Sequence, residues 1–253
     1  MPRMRILNTV ERYDFDFPPT FNSLQRKKYF YFSDTLYHMV SGLRSPAHQV
    51  GFLISCGYFL ATKKFFAANE FRAIDVEYVT QKLGLPDVLV NLQEYNDRTR
   101  QKHQQTILKY YGYQAFSSQA KAFLNEEINI MVRSQLKPRL IFWRCIDLLI
   151  REKVQLPGCF TLTDLITAVI NRRKDQLVNI IQQQLSSEAK QALEALFEQT
   201  PVFGEQHPGA TSAYRLTLLK KLSQSARPAK IKERVMDLVL IGELYGQFQS
   251  TLR

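Results

Sequence analysis

The sequence predicts an all-α, multi-helical protein with two or more helix-turn-helix-like DNA-binding subdomains. Three observations lead there. Apolar residues recur at helical spacing along most of the chain, and strand-like alternation is sparse. Good helix-capping residues stand ahead of several of these stretches, with Gly or Pro after them. The chain is also strongly basic: 34 Lys and Arg oppose 23 Asp and Glu in 253 residues, a formal net charge of +11. Such an excess points to polyanions, with nucleic acid first and an acidic membrane surface second.

The elements follow in order. Phe17–Ser23 is a Pro-rich entry loop. Asn22 or Ser23 can cap a helix through "LQRKKYFYF", and Ser33 another through "DTLYHMV" to Gly42. Ser45-Pro46 sets a cap before a proline at the first helical position. The helix it opens, "AHQVGFLISCGYFLATKKFF", is apolar enough to be central to a core. Phe71–Pro86 reads as a short amphipathic helix with Ile74, Val76, Val79 and Leu83 as its apolar positions and Gly84 as its stop. A loop then leads to Asp97, the expected cap of a helix that stops at Gly112. Helix, connection, and a helix with a polar basic start is the layout of a helix-turn-helix, here with a longer connection than usual.

Ser117–Leu136 predicts a long helix ended before Pro138. "PRLIFWRCIDLLIREKV" is nearly all apolar and is expected to be buried on most sides. Leu156–Phe160 reads as a turn and a domain joint. Thr161 and Asp164 form a capping-box-like start for a helix carrying Leu165, Ile166, Val169, Ile170, Leu177, Ile180 and Ile181. Ser186 or Ser187 can cap a further helix. Thr200–Tyr214 is the most loop-like segment, followed by a basic run, Arg215–Val235, and an apolar helix to Tyr245. The predicted division is a DNA-binding part at 1–116, a helical hairpin at 117–158 and a basic C-terminal helical region at 159–253.

Cys56, Cys145 and Cys159 are isolated and match no CxxC or Cys/His spacing, so a reduced, cytoplasmic chain is expected. The N-terminal residues lack the apolar run of a signal peptide, and no stretch approaches the roughly 20 apolar residues of a membrane span. His38, His48, His103 and His207 are scattered, and no metal is assigned. There is no P-loop, GxSxG, HExxH or dinucleotide fingerprint. No catalytic residue, no cofactor and no enzymatic activity are therefore predicted.

Two basic stretches are the candidate sites. In "YNDRTRQKHQQTILKYYGY" (Tyr95–Tyr113), Arg98, Arg100, Gln101, Lys102 and His103 crowd the first turns of a helix. Cations there oppose the macrodipole, and no acidic residue follows until after Leu124. A phosphate backbone would reverse that penalty, and Arg, Gln and His are types that read base edges. Only Gln104, Ile107, Leu108 and Tyr111 could pack inward, so the N-terminal half is expected to project from the core. The alternative is a solvated helix start neutralised by Asp97 and Glu94. The second stretch offers Lys220, Lys221, Arg227, Lys230 and Lys232 as phosphate contacts, with a basic interdomain linker as its alternative.

These residues resemble a known family. "MPRMRILNTVERYDFDFPPTFNSLQRKKYF", "GFLISCGYFLATKKFF", "DVEYVTQKLGL", "YNDRTRQKHQQTILKYYGY", "VRSQLKPRLIFWRCIDLLIREKVQLPG" and "YRLTLLKKLSQSARPAKIKERVMDL" are similar, in order, to the N-terminal part of bacterial replicative transposases of the Tn-three type. The resemblance implies binding of double-stranded DNA at the transposon's terminal inverted repeats, in the bacterial cytoplasm, with full-length transposase as a further partner. It places the metal-dependent acidic triad much further downstream, so the chain is expected to be a fragment or truncated copy without its catalytic domain. The rival expectation is a helical interaction or assembly module that does not itself read DNA.

Overall fold

The computed structural model describes residues 4–86, 90–184, 199–204 and 207–214, and single positions at 187, 190, 191, 194, 197, 235, 238, 239 and 242. The fold is all-α, as predicted. Among the described residues its helices are α1 (Thr9–Asp16), α2 (Ser23–Tyr29), α3 (Asp34–Ser41), α4 (Pro46–Thr62), α5 (Ala73–Lys82), α6 (Asp97–Tyr111), α7 (Ser118–Arg133), α8 (Pro138–Arg151) and α9 (Cys159–Gln184). Short 3-10 turns lie at Ala68–Glu70 and Leu92–Glu94. One compact unit covers Met1–Arg173 and another Lys174–Arg253.

Local chemistry sets most helix ends. The Asn22 side chain accepts from Gln25 N at 2.8 Å while Gln25 Oε1 accepts from Asn22 N at 3.0 Å, a reciprocal capping box. Ser33 caps α3, and Ser45 followed by Pro46 opens α4. Gly112 ends α6 at φ +68, a left-handed conformation that suits a residue without Cβ.

α4 is the axis of the first core. Every residue from Val50 to Phe59 is buried, and α2, α3, α5 and α6 all pack against it. Two of its glycines admit aromatic rings at close range. A Cβ on Gly57 would lie 2.2 Å from the Phe30 ring, and one on Gly51 would lie 2.6 Å from the Tyr95 ring. A polar hub sits in the same core. Asp75 is fully buried and accepts from Arg26 Nε at 2.7 Å and from Tyr58 Oη at 2.9 Å. Tyr58 Oη in turn accepts from Arg72 N at 3.1 Å. On α5, therefore, the buried set is Asp75, Val79 and Thr80, while Ile74, expected to face inward, is exposed.

The second core joins α7, α8 and the first turns of α9 with Ile6 and Leu7 from the segment ahead of α1. The turn at Leu156–Phe160, expected to be a joint, lies within it: Leu156 and Cys159 pack with Leu162, Leu165 and Ile166. α8 departs from the near-complete burial expected of it. One face carries Ile141, Phe142, Cys145, Ile146 and Leu149, and the other exposes Leu140, Trp143 and Ile150.

The two cores are tied together within the first unit. Asp16 Oδ1 accepts from Lys64 Nζ at 3.2 Å and from Cys159 N at 2.9 Å. A carboxylate from α1 thus satisfies the start of α9, a role the sequence assigned to Thr161 and Asp164. Leu156 N donates to Lys63 O at 3.0 Å, and Gln114 bridges to Lys153 and Gln155 through its backbone, each bond 2.8 Å long.

In the second unit, β1 (Gln199–Gly204) pairs antiparallel with β2 (His207–Tyr214), Gln199 opposite Tyr214 and Val202 opposite Thr211. The sequence pointed to a loop here. Pro201, Gly204, Pro208 and Gly209 are turn residues that hide the β-branched and aromatic positions between them.

Candidate nucleic-acid interface

α6 is positioned from its first residue. Asn96, one place ahead of the expected Asp97, is the cap; its side chain accepts from Thr99 N at 3.0 Å. The preceding Tyr95 is buried against Gly51 of α4, which sets where the helix begins. Ile107 and Leu108 then bury the C-terminal half against the first core.

The N-terminal half does not project, contrary to expectation. His103 is only 8% exposed. Its Nδ1 lies 3.1 Å from Tyr95 Oη, and its ring meets Phe52 edge-on at 5.1 Å. The His48 ring is 6.1 Å away, with its Nε2 3.3 Å from the Glu94 carbonyl oxygen. Burial, aided by His48, pushes the His103 pKa down to about 4, so its imidazole is neutral near pH 7. His103 is thus part of the packing that holds α6 on α4, and its ring is off the exposed face. The sequence pattern hid this because a histidine beside Lys102 reads as one more polar residue. Arg100 is also drawn in: its side chain is 19% exposed and its Nη2 pairs with Asp97 Oδ1 at 2.9 Å.

What remains outward is a single stripe. Arg98, Gln101, Lys102, Gln105 and Lys109 are all exposed. Their spacing of i, i+3, i+4, i+7 and i+11 puts them on one helix face. At 1.5 Å per residue the stripe runs for roughly 16 Å. Among the described residues, Arg98, Lys102 and Lys109 make no ion pair, and the nearby Asp97 is engaged by Arg100. The stripe presents three cationic donor groups and two amides that both donate and accept. Gln105 and Lys109 were missing from the sequence-predicted set, although helical spacing from Arg98 would have found them.

The other predicted contacts, Lys220, Lys221, Arg227, Lys230 and Lys232, lie outside the described residues. The helix-turn-helix reading is loosened by the geometry. α5 and α6 each pack on α4, and their connection over residues 83–96 carries a 3-10 turn of its own.

Residues 6–169 match the family described as Domain of unknown function (DUF4158). The chain belongs to that family. The DUF4158 match takes in both hydrophobic cores and stops close to Arg173, where the first compact unit ends. The stripe on α6 is therefore a surface of the DUF4158 domain itself.

Within that domain, chemistry other than charge is sparse. Cys56 and Cys145 are buried thiols, Cys145 pushed up to about 12 by burial, and both pack as core residues. Among the described residues no three His, Cys, Asp or Glu side chains are grouped so as to hold a metal ion. No helix among them is long and apolar enough to cross a membrane.

Proposed function

We propose that this chain binds double-stranded DNA through the exposed face of α6, as the end-recognition part of a transposase of the Tn-three type, with the terminal inverted repeats as its target. The observation that carries this is the stripe Arg98, Gln101, Lys102, Gln105 and Lys109, with no acidic residue between its first and last members and with Asp97 at its start paired to Arg100. The matched domain family supports it, being one typically found in transposases of that type. A B-DNA major groove about 12 Å wide admits a helix, with Arg and Lys suited to guanine and phosphate and Gln to adenine. Lys220, Lys221, Arg227, Lys230 and Lys232 remain the proposed sequence-independent phosphate contacts.

The test is binding of the chain to the matching inverted repeat against scrambled DNA of equal length, read by fluorescence anisotropy. Gln101→Ala should cost about 1–3 kcal/mol on the cognate repeat and little on scrambled DNA, because a base-edge contact is specific. Equal affinity of the wild type for both duplexes would overturn sequence-specific binding.

A second reading, an assembly module, draws on the exposed Val10 and Tyr13 of α1, Phe17 just after it, and Leu140 and Trp143 of α8. Exposed apolar patches of several hundred Å² mark association surfaces. This reading predicts self-association that Trp143→Ser abolishes, with no response to DNA.

A further inference from the structure

Tyr31, in the turn between α2 and α3, is 76% exposed, and the groups around it are fixed by packing. We propose that this turn is a second DNA-contacting element, in which Lys28, Tyr31 and Lys82 hold the phosphodiester backbone beside the groove that α6 enters. The proposal rests on α6 facing DNA and adds a contact that the sequence pattern did not single out.

The geometry of Lys82 is the first support. Lys82 is brought to the turn from the end of α5, 52 residues away in sequence from Phe30. Its Nζ donates to Phe30 O at 2.6 Å and lies 5.7 Å from the Tyr31 ring and 5.6 Å from the Phe32 ring. An ammonium has three donors, so two remain for an incoming oxygen. Partial burial lowers the Lys82 pKa; a phosphate oxygen would restore the solvation that burial removes. Lys28, exposed in the last turn of α2 three residues before Tyr31, holds its ammonium 5.3 Å from the Tyr29 ring.

The second support is the link to α6. Ser33 Oγ and Tyr110 Oη are 2.8 Å apart, and Tyr110 directly follows Lys109, the last cation of the stripe. The turn is therefore hydrogen-bonded to the flank of α6, about 100° round the helix from Lys109, and in this proposal it lies against a duplex seated on the stripe. The acids on the adjoining helices are Asp34, at the start of α3, and two on α5: Asp75, fully buried and paired with Arg26 at 2.7 Å, and Glu77, whose Oε1 accepts from Gln81 at 3.2 Å. Lysine ammonium groups and Tyr and Ser hydroxyls are all phosphate-contacting types, and such contacts position a protein without reading sequence.

Because these contacts are independent of sequence, a random-sequence duplex suffices as the probe. The salt dependence of binding by the whole chain is measured for wild type, for the pair Lys28→Gln with Lys82→Gln, and for a control pair, Lys121→Gln with Arg133→Gln. Both pairs remove two positive charges, and the control positions are exposed on α7. Glutamine at 82 keeps a donor for Phe30 O.

At about 0.9 per phosphate, the slope of log affinity on log salt should become shallower by about 2 in the test pair and stay unchanged in the control. Equal changes in both pairs would mean bulk charge and overturn the proposal. An unchanged slope in the test pair, with a wild type that binds, would overturn this contact while leaving α6 standing. A wild type that binds no duplex would remove both. Anionic vesicles form a last arm; loss of vesicle binding in the test pair with duplex binding intact would assign the turn to a membrane surface and sink the proposal. If Lys82→Gln lowers the melting temperature, Lys28→Gln alone carries the test, with a slope shallower by about 1.

Discussion

Acid should destabilise the first core through one residue, His103. Its ring is 8% exposed and its pKa is down at about 4, against roughly 6.5 for an unfolded histidine. Between those values the unfolded chain binds a proton that the folded chain refuses, so stability falls as pH falls. One pH unit in that window corresponds to about 1.4 kcal/mol. From pH 6.5 to pH 5, His103 should withdraw about 2 kcal/mol, with further loss toward pH 4. The groups facing it are Tyr95 Oη, the His48 ring and the Phe52 ring, none of which supplies a compensating negative charge. Urea denaturation at pH 7 and pH 5 measures the effect, with His103→Gln as reference because glutamine cannot protonate. The variant should be weaker at pH 7 through lost packing, yet lose about 2 kcal/mol less than wild type on moving to pH 5. Identical pH dependence in the two proteins would refute the assignment of a buried, neutral imidazole as the group that fixes α6.

Three further outcomes are expected. Asp75→Ala leaves Arg26 charged and nearly buried, so unfolding stability should drop by about 3–5 kcal/mol, whereas the combined Arg26→Met and Asp75→Leu should come close to wild type; chemical denaturation of the three proteins decides it. Gly57→Ala drives a Cβ to within 2.2 Å of the Phe30 ring and should cost about 1–3 kcal/mol by overpacking, read as a lower melting temperature. If roughly six phosphates are contacted, log affinity for duplex DNA should fall with log salt at a slope near −5; a slope of zero would remove the electrostatic premise.

The parts of the fold legible in the sequence are those set within a few residues. The caps at Asn22, Ser33 and Ser45 and the stop at Gly112 need only a side chain reaching two or three residues along the chain, or a backbone free to take positive φ. Features closed over long separations were hidden. Asp16 caps α9 across 143 residues, and Arg26 meets Asp75 across 49. α5 looked like a helix with Ile74 inward, but the Arg26–Asp75–Tyr58 hub rotates Asp75 into the core instead. Periodicity counts apolar residues and cannot register a carboxylate that is buried because its partners are buried with it.

The site divides in the same way, and the division bears on why cations stand at the start of α6. Of the five residues read from sequence, three face outward and two do not. His103 is consumed by packing. Arg100 is screened by Asp97 at the first helical position, where a carboxylate also favours the macrodipole. Arg98 is the first-turn cation left without an ion pair among the described residues, and Lys102 lies one turn beyond it, where the field of the helix end has faded. The residual dipole penalty is thus about 0.3–1 kcal/mol for Arg98 alone, a small fraction of a domain's stability. A cost that small does not by itself call for a ligand; the feature that suits DNA is the whole exposed face and not the helix end. Five exposed residues at i, i+3, i+4, i+7 and i+11, with no acid interspersed, lack the alternating charge of a solvated, salt-bridged helix. Arg98→Ala on its own should therefore raise the melting temperature slightly while weakening binding to every duplex. Lower stability in that variant would show that Arg98 packs rather than binds.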